Sequence, residues 1–321
     1  MKALITGGTG FIGSNVVDLL VENGHSVRLF SRNPDLPARL AGKEVSLFPG
    51  DLRDPNAVLD AMTGMDAVYH VGELRNVSPR AAEKNVELVE RMSAHVAKAG
   101  IKRLVFISSL TVAGVPASIP ATEDTKPRLE LRDHYTTYKK RCEELLRANT
   151  SSSVPVIIRP GVVYGPGSRH LGSMIRTIEL FGPVGFPFAG RGGNAAPLIQ
   201  VKDLARAVYL AGIEQGAGGQ VFNLTDGQRH SWADFFHAIA ASLGKKLRIL
   251  AVPPLFLRAP ARVFDVFSGI IGLSLSLDAY VSYAASDLLF ENGKARRLLN
   301  WEPEYTLAQG VEEMVREYRA G

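Results

Sequence analysis

Cysteine is almost missing from this chain: Cys142 is the single one among 321 residues, so no internal disulfide can form. The seven histidines are scattered, and nowhere do His, Cys, Asp and Glu fall at the spacing of a metal site. No block of one charge stands out. The 37 basic and 32 acidic residues are mixed along the chain, and the densest basic spots are the pairs Lys139-Lys140, Lys245-Lys246 and Arg296-Arg297. A nucleic-acid binder would gather its basic residues on one element with interleaved aromatics. The net charge of +5 therefore reads as a solvated surface that also helps draw in an anionic cofactor. Long apolar runs are lacking too. The charge-free stretch from Val266 to Leu277 lies between two aspartates and is shorter than the roughly 20 residues a membrane-spanning helix needs. A glycine-rich motif begins within six residues of Met1, which leaves no room for a signal peptide and points to a cytoplasmic protein.

What is present is the balance of a soluble globular chain, 46% hydrophobic and 21% charged, with length for two lobes. In the first half, short β-rich runs alternate with helical patterns. KALIT (2–6), VRLFS (27–31), VSLF (45–48), AVYHV (67–71), RLVFIS (103–108) and VPVIIRP (154–160) read as strands. Helices are expected from about Phe11 to Asn23, over 83–100 and over 133–147. In the second of these, Val86, Val89, Met92 and Val96 recur at spacings of three and four. Near-continuous apolar strands between amphipathic helices predict an α/β fold, a Rossmann-type doubly wound parallel sheet. LIQVKDLARAVYLAG (198–212) and QVFNL (220–224) look like a helix and a strand returning to that sheet. The expected division is a dinucleotide-binding domain of 1–168 plus 197–225. A smaller C-terminal substrate-binding lobe would be formed by 169–196 and 226–321.

TGGTGFIG, Thr6 to Gly13, follows the first strand directly and opens the first helix. Gly7 permits a tight turn, Gly10 lets a pyrophosphate approach the backbone, and Gly13 lets helix and sheet pack closely. The helix N-terminus then offers N–H groups and partial positive charge to phosphates. An acidic residue at the end of strand two would bond the 2′-hydroxyl of NAD, but this chain has Ser31-Arg32-Asn33 there. A guanidinium and a hydroxyl suit a 2′-phosphate, which favours NADP(H), with NAD(H) as the alternative. Asp51, after the third strand in PGDLRD, is placed to reach the adenine edge.

In DHYTTYKKRCEELLR (133–147), Tyr135 and Lys139 are four apart and share a helix face. Tyr138 has no lysine three or four residues on, and Lys140 has threonines at the corresponding positions, so both read as packing or solvent residues. Cys142 reads as a small buried apolar residue. A free phenol titrates near pH 10, and a nearby ammonium favours its ionised form. Such a tyrosine can exchange a proton with an alcohol or carbonyl oxygen while a hydride moves between carbon and nicotinamide.

The motifs TGGTGFIG, GDL, Asn85 in KNVELV, FISSLTVAG, YTTYKKRCE, IRPGVVYGPG, VKDLARA and KARRLLNWEP stand in the order of the extended short-chain dehydrogenase/reductase family, which the chain resembles over nearly its whole length. This family is also described as NAD(P)-dependent epimerase/dehydratase-like. The resemblance implies that Tyr135 is the acid/base and that Lys139 tunes it and bonds the nicotinamide ribose. It puts a third catalytic hydroxyl on Ser109, with Ser108 and Thr111 as runners-up. It also implies a cofactor shell of Gly7, Gly10, Phe11, Ile12, Gly13, Ser31, Arg32, Asp51, Leu52, Asn85, Tyr135, Lys139 and Pro160.

Branches of the family differ in ways this sequence addresses. Dehydratases of the family carry Asp-Glu after the strand-five hydroxyl, where this chain has Leu110-Thr111. Sugar-nucleotide enzymes of the family hold a diphosphate with an asparagine after strand six and an arginine before the V-x-D segment. Here Gly161 and Ala196 stand at those places, although Arg169, Arg176 or Arg191 could substitute, so the exclusion is not complete. In motif the chain is closest to dihydroflavonol reductases and 3β-hydroxysteroid dehydrogenases, which implies an apolar ketone or secondary alcohol as substrate. The apolar stretch 252–277 suits such a pocket, a lobe core, or a dimer or membrane-surface contact. A sugar-nucleotide epimerase with tightly held NAD(P) is the alternative, and a non-catalytic NADP sensor is disfavoured by the intact Ser109, Tyr135 and Lys139. By analogy, a homodimer would use the helix that carries Tyr135.

Overall fold

Lys2–Thr6 forms the first strand, β1, and every residue of it after Lys2 is buried, as a strand covered on both faces requires. The structure is a computed structural model and describes residues 1–74, 79–148, 154–257 and 277–320. After β1 the chain enters helix α1 (Phe11–Glu22), then β2 (Ser26–Ser31) and β3 (Val45–Pro49). Helix α2 (Pro55–Met62) follows. The Asp54 side chain caps its first turn by accepting from Asn56 N and Ala57 N, with Pro55 pre-setting the helical entry. Next come β4 (Ala67–His70), α3 (Pro79–Lys98) and β5 (Arg103–Ile107). A small hairpin of β6 (Val115–Pro116) and β7 (Pro127–Leu129) precedes α4 (His134–Ala148), which leads to β8 (Val154–Pro160).

Seven strands form one parallel sheet in the order β12-β8-β5-β4-β1-β2-β3, where β12 is Val221–Leu224. The chain leaves β1 towards β2 and β3, then returns to add β4, β5, β8 and β12 on the other side. The direction of winding reverses between β1 and β4, which makes the crevice above those two strands the expected ligand site of such a sheet. Helix α1 and helix α6 (Val201–Ile213) cover one face, where Val16, Leu20, Leu204 and Val208 pack on Ile5, Val105 and Ile158. Helices α2, α3 and α4 cover the other, where Val58, Val89, Met92, Tyr138 and Cys142 pack on Leu4, Val68 and Phe106. The four α3 residues picked out by spacing are all buried there.

The segment 198–212 departs from the expected single helix. Leu198–Gln200 is a strand, β11, paired parallel with β9 (Val162–Tyr164), and the helix begins only at Val201. A third hydrophobic cluster lies beyond the sheet. It joins Tyr164, Leu171, Ile175 and Leu198 to Phe235 and Phe236 of α7 (Trp232–Ser242) and to Val311 and Met314 of the helix Leu307–Ala320. Most of the apolar stretch 252–277, from 258 to 276, falls outside the described residues. Among the described residues, no helix is long and apolar enough to cross a membrane.

Candidate active site

The glycine loop sits at the β1/β4 crevice. Gly7 has φ +72°, a conformation that side chains avoid, and a Cβ there would come within 2.5 Å of Gly72 Cα in the loop after β4. A Cβ on Gly13 would press on the Gly7 carbonyl, so the loop and helix meet backbone to backbone. Helix α1 starts at Gly10 with no side-chain cap and no acidic residue in its first turn. An open, bare helix start of this kind, floored by residues without side chains, fits the pyrophosphate of a dinucleotide. Phe11 and Ile12 are the first residues of the helix and are half-buried, Leu52 packs against Gly72, and Pro160 is buried at the end of β8.

At the far end of β2, Ser31 is buried, and its hydroxyl accepts from Asn33 N at 3.1 Å. Arg32 is exposed. Asp51 is bound by Arg53 of its own loop through both carboxylate oxygens, with a closest approach of 2.6 Å. That bond, together with the charges of Arg53 and Arg32, outweighs desolvation and lowers the Asp51 pKa to about 2. Asn85 is buried on α3, and its side-chain oxygen accepts from Leu74 N at 3.0 Å, so it pins the loop after β4.

The tyrosine–lysine helix is fixed at both ends of its functional stretch. Asp133 caps α4, its carboxylate accepting from Thr136 N at 2.9 Å and from Thr136 Oγ1 at 2.7 Å. Two turns on, buried Glu143 takes both Nε (2.8 Å) and Nη2 (2.6 Å) of Arg159 on β8 and the Ser108 hydroxyl (2.6 Å) at the end of β5. Ser108 is thus committed to the helix–sheet contact. Ser109 is half-buried, and its oxygen accepts from Thr111 N (3.2 Å) and Thr111 Oγ1 (3.0 Å).

Tyr135 is half-buried, and its ring meets that of Tyr138 edge-on with centroids 5.5 Å apart. Lys139 is buried, its Nζ donating to Ile107 O at 2.8 Å while lying 5.1 Å from the Phe106 ring and 5.7 Å from the Tyr135 ring. The same Nζ is 3.1 Å from Glu73 Oε2, which also accepts from the Tyr138 hydroxyl. Burial works against the Lys139 charge, but Glu73 and the two tyrosines outweigh it and hold the pKa well above the ordinary value. Glu73 is exposed, its side chain 40% accessible, and although partial desolvation opposes its charge, Lys139 and the Tyr138 hydroxyl lower its pKa and hold it ionised. Burial keeps the Tyr138 phenol protonated. His70, buried at the end of β4 and 2.8 Å from Thr6 Oγ1, is pushed down to about 3 by burial and by Lys139, so its ring is neutral. Lys140 is exposed and pairs with Glu130, and Cys142 is fully buried in the core with its thiol pushed up to about 12 by burial.

A model of the NAD dependent epimerase/dehydratase family matches residues 3–225. The chain belongs to that family. It is 30% identical over 257 residues to a 2-alkyl-3-oxoalkanoate reductase of Stenotrophomonas maltophilia, covering 76% of each chain. It is 26% identical to a UDP-glucose 4-epimerase of Vibrio cholerae over 97% of this chain and 93% of the relative. Among solved structures, MoeE5 in complex with UDP-glucuronic acid and NAD superposes with a TM-score of 0.76 over 100% of this chain and 99% of that one, at 22% identity. That likeness speaks to the fold. The extended short-chain dehydrogenase/reductase architecture and NAD(P)-linked chemistry expected from the motifs are therefore those of the family.

Gly161 and Ala196, where the resemblance would place the diphosphate ligands of a sugar-nucleotide enzyme, are both closed in by their neighbours. A Cβ at Gly161 would fall on the carbonyl oxygen of Pro197, the same oxygen that accepts from Val162 N at 2.6 Å. Ala196 is 3% exposed, packed in the third cluster, with its N–H on His230 O. Arg176 and Arg191 are exposed, and the Arg169 side chain lies outside the described residues. Sequence reasoning missed Glu73 altogether. The available signal was an acid at the carboxyl end of a parallel strand, where ligands bind.

Proposed function

We propose that this protein is an NADP(H)-dependent oxidoreductase that interconverts a ketone and a secondary alcohol on a largely apolar small molecule. The observation that carries the substrate side is the closure of Gly161 against Pro197 together with the burial of Ala196. An anionic diphosphate needs charged or amide donors when it leaves water, and neither position can supply one. The 2-alkyl-3-oxoalkanoate for which the reductase relative is named is a keto acid with apolar alkyl chains, which supports the same reading.

The bound nicotinamide would supply or accept the hydride. Gly7, Gly10 and Gly13 would hold the pyrophosphate at the start of α1, and Ser31 and Arg32 would engage the 2′-phosphate. Tyr135 passes the proton to or from the substrate oxygen, Ser109 hydrogen-bonds that oxygen, and Lys139 favours the phenolate and holds the ribose. Segments 169–196 and 226–321 form the substrate-binding side.

The test is a screen of ketones and alcohols, from steroids to β-keto acyl chains, following NADPH absorbance, with NADPH and NADH titrated in parallel. Net cofactor turnover and tighter NADPH binding are expected. Protein that retains its dinucleotide through purification and inverts a sugar nucleotide without net turnover would instead establish the epimerase, and tighter NADH binding would remove Arg32 as a 2′-phosphate ligand.

A further inference from the structure

Lys139 carries a buried charge whose partner, Glu73, lies outside the sequence motifs. Its ammonium lies in the core beneath the crevice, where a bare positive charge would disfavour any second positive charge nearby. The oxidised nicotinamide ring is cationic and the reduced ring is neutral. A lysine at the nicotinamide ribose would therefore tilt binding towards the reduced cofactor. Here Glu73 stands 3.1 Å from the ammonium. Among the described residues, Tyr135, Tyr138 and His70 also face this pair; the Tyr138 phenol stays protonated and the His70 ring neutral. The carboxylate is held in place rather than swinging free, because Tyr138 donates to it and Asn85 pins the neighbouring Leu74 N–H.

We propose that Glu73 is a positioning residue that balances the charge of Lys139 and so sets the preference of the site for oxidised over reduced nicotinamide dinucleotide. This rests on the reading that the dinucleotide lies in the Gly7–Gly13 crevice with Lys139 at its nicotinamide ribose. The balance has a chemical use. As hydride leaves the reduced ring, positive charge develops on it, and a site that tolerates this charge makes the bound reduced cofactor the stronger donor towards a ketone. No group is consumed in this: the hydride passes between nicotinamide and substrate carbon, and the carboxylate stays ionised throughout.

The experiment measures the dissociation constants of NADP⁺ and NADPH for the wild-type protein, Glu73→Gln and Tyr138→Phe, by equilibrium titration without substrate. Glu73→Gln is expected to weaken NADP⁺ relative to NADPH by about tenfold, the effect of one unbalanced charge at several ångströms in a partly screened site. Tyr138→Phe removes one hydrogen bond to the carboxylate but keeps its charge and its ion pair with Lys139, and should shift the ratio by clearly less than Glu73→Gln. Wild-type-like ratios in Glu73→Gln, or parallel weakening of both cofactors, overturn the inference, as does a Tyr138→Phe shift equal to that of Glu73→Gln. Glu73→Ser serves as a second neutral variant should the glutamine protein fail to fold. If the wild-type protein binds neither dinucleotide, it is the dinucleotide reading that fails, and the two failures are distinguishable.

Discussion

Lys139 and Tyr135 show how far spacing alone reaches at the scale of single residues. The interval of four on one helix selected this pair over Tyr138 and Lys140, and the structure buries Lys139 beneath the Tyr135 ring while leaving Lys140 in solvent. The interval could not show what completes the Lys139 environment. Glu73 and Ile107 are distant in sequence and reach the ammonium only because β4 and β5 are neighbours in the sheet. The commitment of Ser108 to Glu143 was equally invisible, since it depends on a contact between α4 and the end of β5. For the proposed proton transfer, Tyr135→Phe keeps the ring and removes only the hydroxyl. Turnover is expected to fall by about 10²–10⁴-fold, the usual weight of a general acid/base, with the dinucleotide dissociation constant nearly unchanged. Steady-state rates and a fluorescence titration on the same preparation check both halves, and normal turnover would remove Tyr135 from the mechanism.

At the scale of elements, strands and long amphipathic helices were legible because each buries a regular set of apolar side chains on the sheet. Shorter pieces were not. Helix α2 offers only eight residues, although Asp54-Pro55 at its start is a recognisable entry signal. The strand β11 has three residues and runs straight into α6, so its apolar letters were absorbed into the helix pattern. What holds α4 in register is also a tertiary matter: Glu143 is 1% exposed and Arg159 6%, and they meet through two charge-assisted hydrogen bonds. Removing one partner of a buried pair strands the other, at a cost of about 3–5 kcal/mol. Glu143→Ala is therefore expected to lower stability by that order in chemical denaturation, and Arg159→Ala by less, because Arg147 still lies 2.9 Å from the Glu143 carboxylate. The double variant should lose clearly less than the sum of the two. Additive losses would show that the pair does not act as a unit.

For the whole molecule, a doubly wound parallel sheet was readable from alternation, whereas the strand order and the packing of the third cluster were not, because both bring together segments far apart in the chain. That region contains Asp226, 4% exposed, one of whose oxygens has no hydrogen-bonding partner among the described residues. Burial raises its pKa to about 7, against about 3.9 for an unfolded aspartate. Between those values the folded state holds the proton more tightly than the unfolded one, so this group favours folding at low pH. Its contribution is lost as pH rises towards 7, on the order of 4 kcal/mol in all. Melting curves from pH 4 to pH 8 should show the wild type falling relative to Asp226→Asn, with the variant the more stable above pH 7. Parallel curves would clear Asp226 of the effect. The meeting of Gly161 with Pro197 has a different reach. Because the obstruction is main chain against main chain, an asparagine cannot be grafted at position 161 alone; the β9–β11 ribbon would have to be rerouted first. Which side chain this point can carry is a property of the local path of the backbone, not exchangeable one letter at a time.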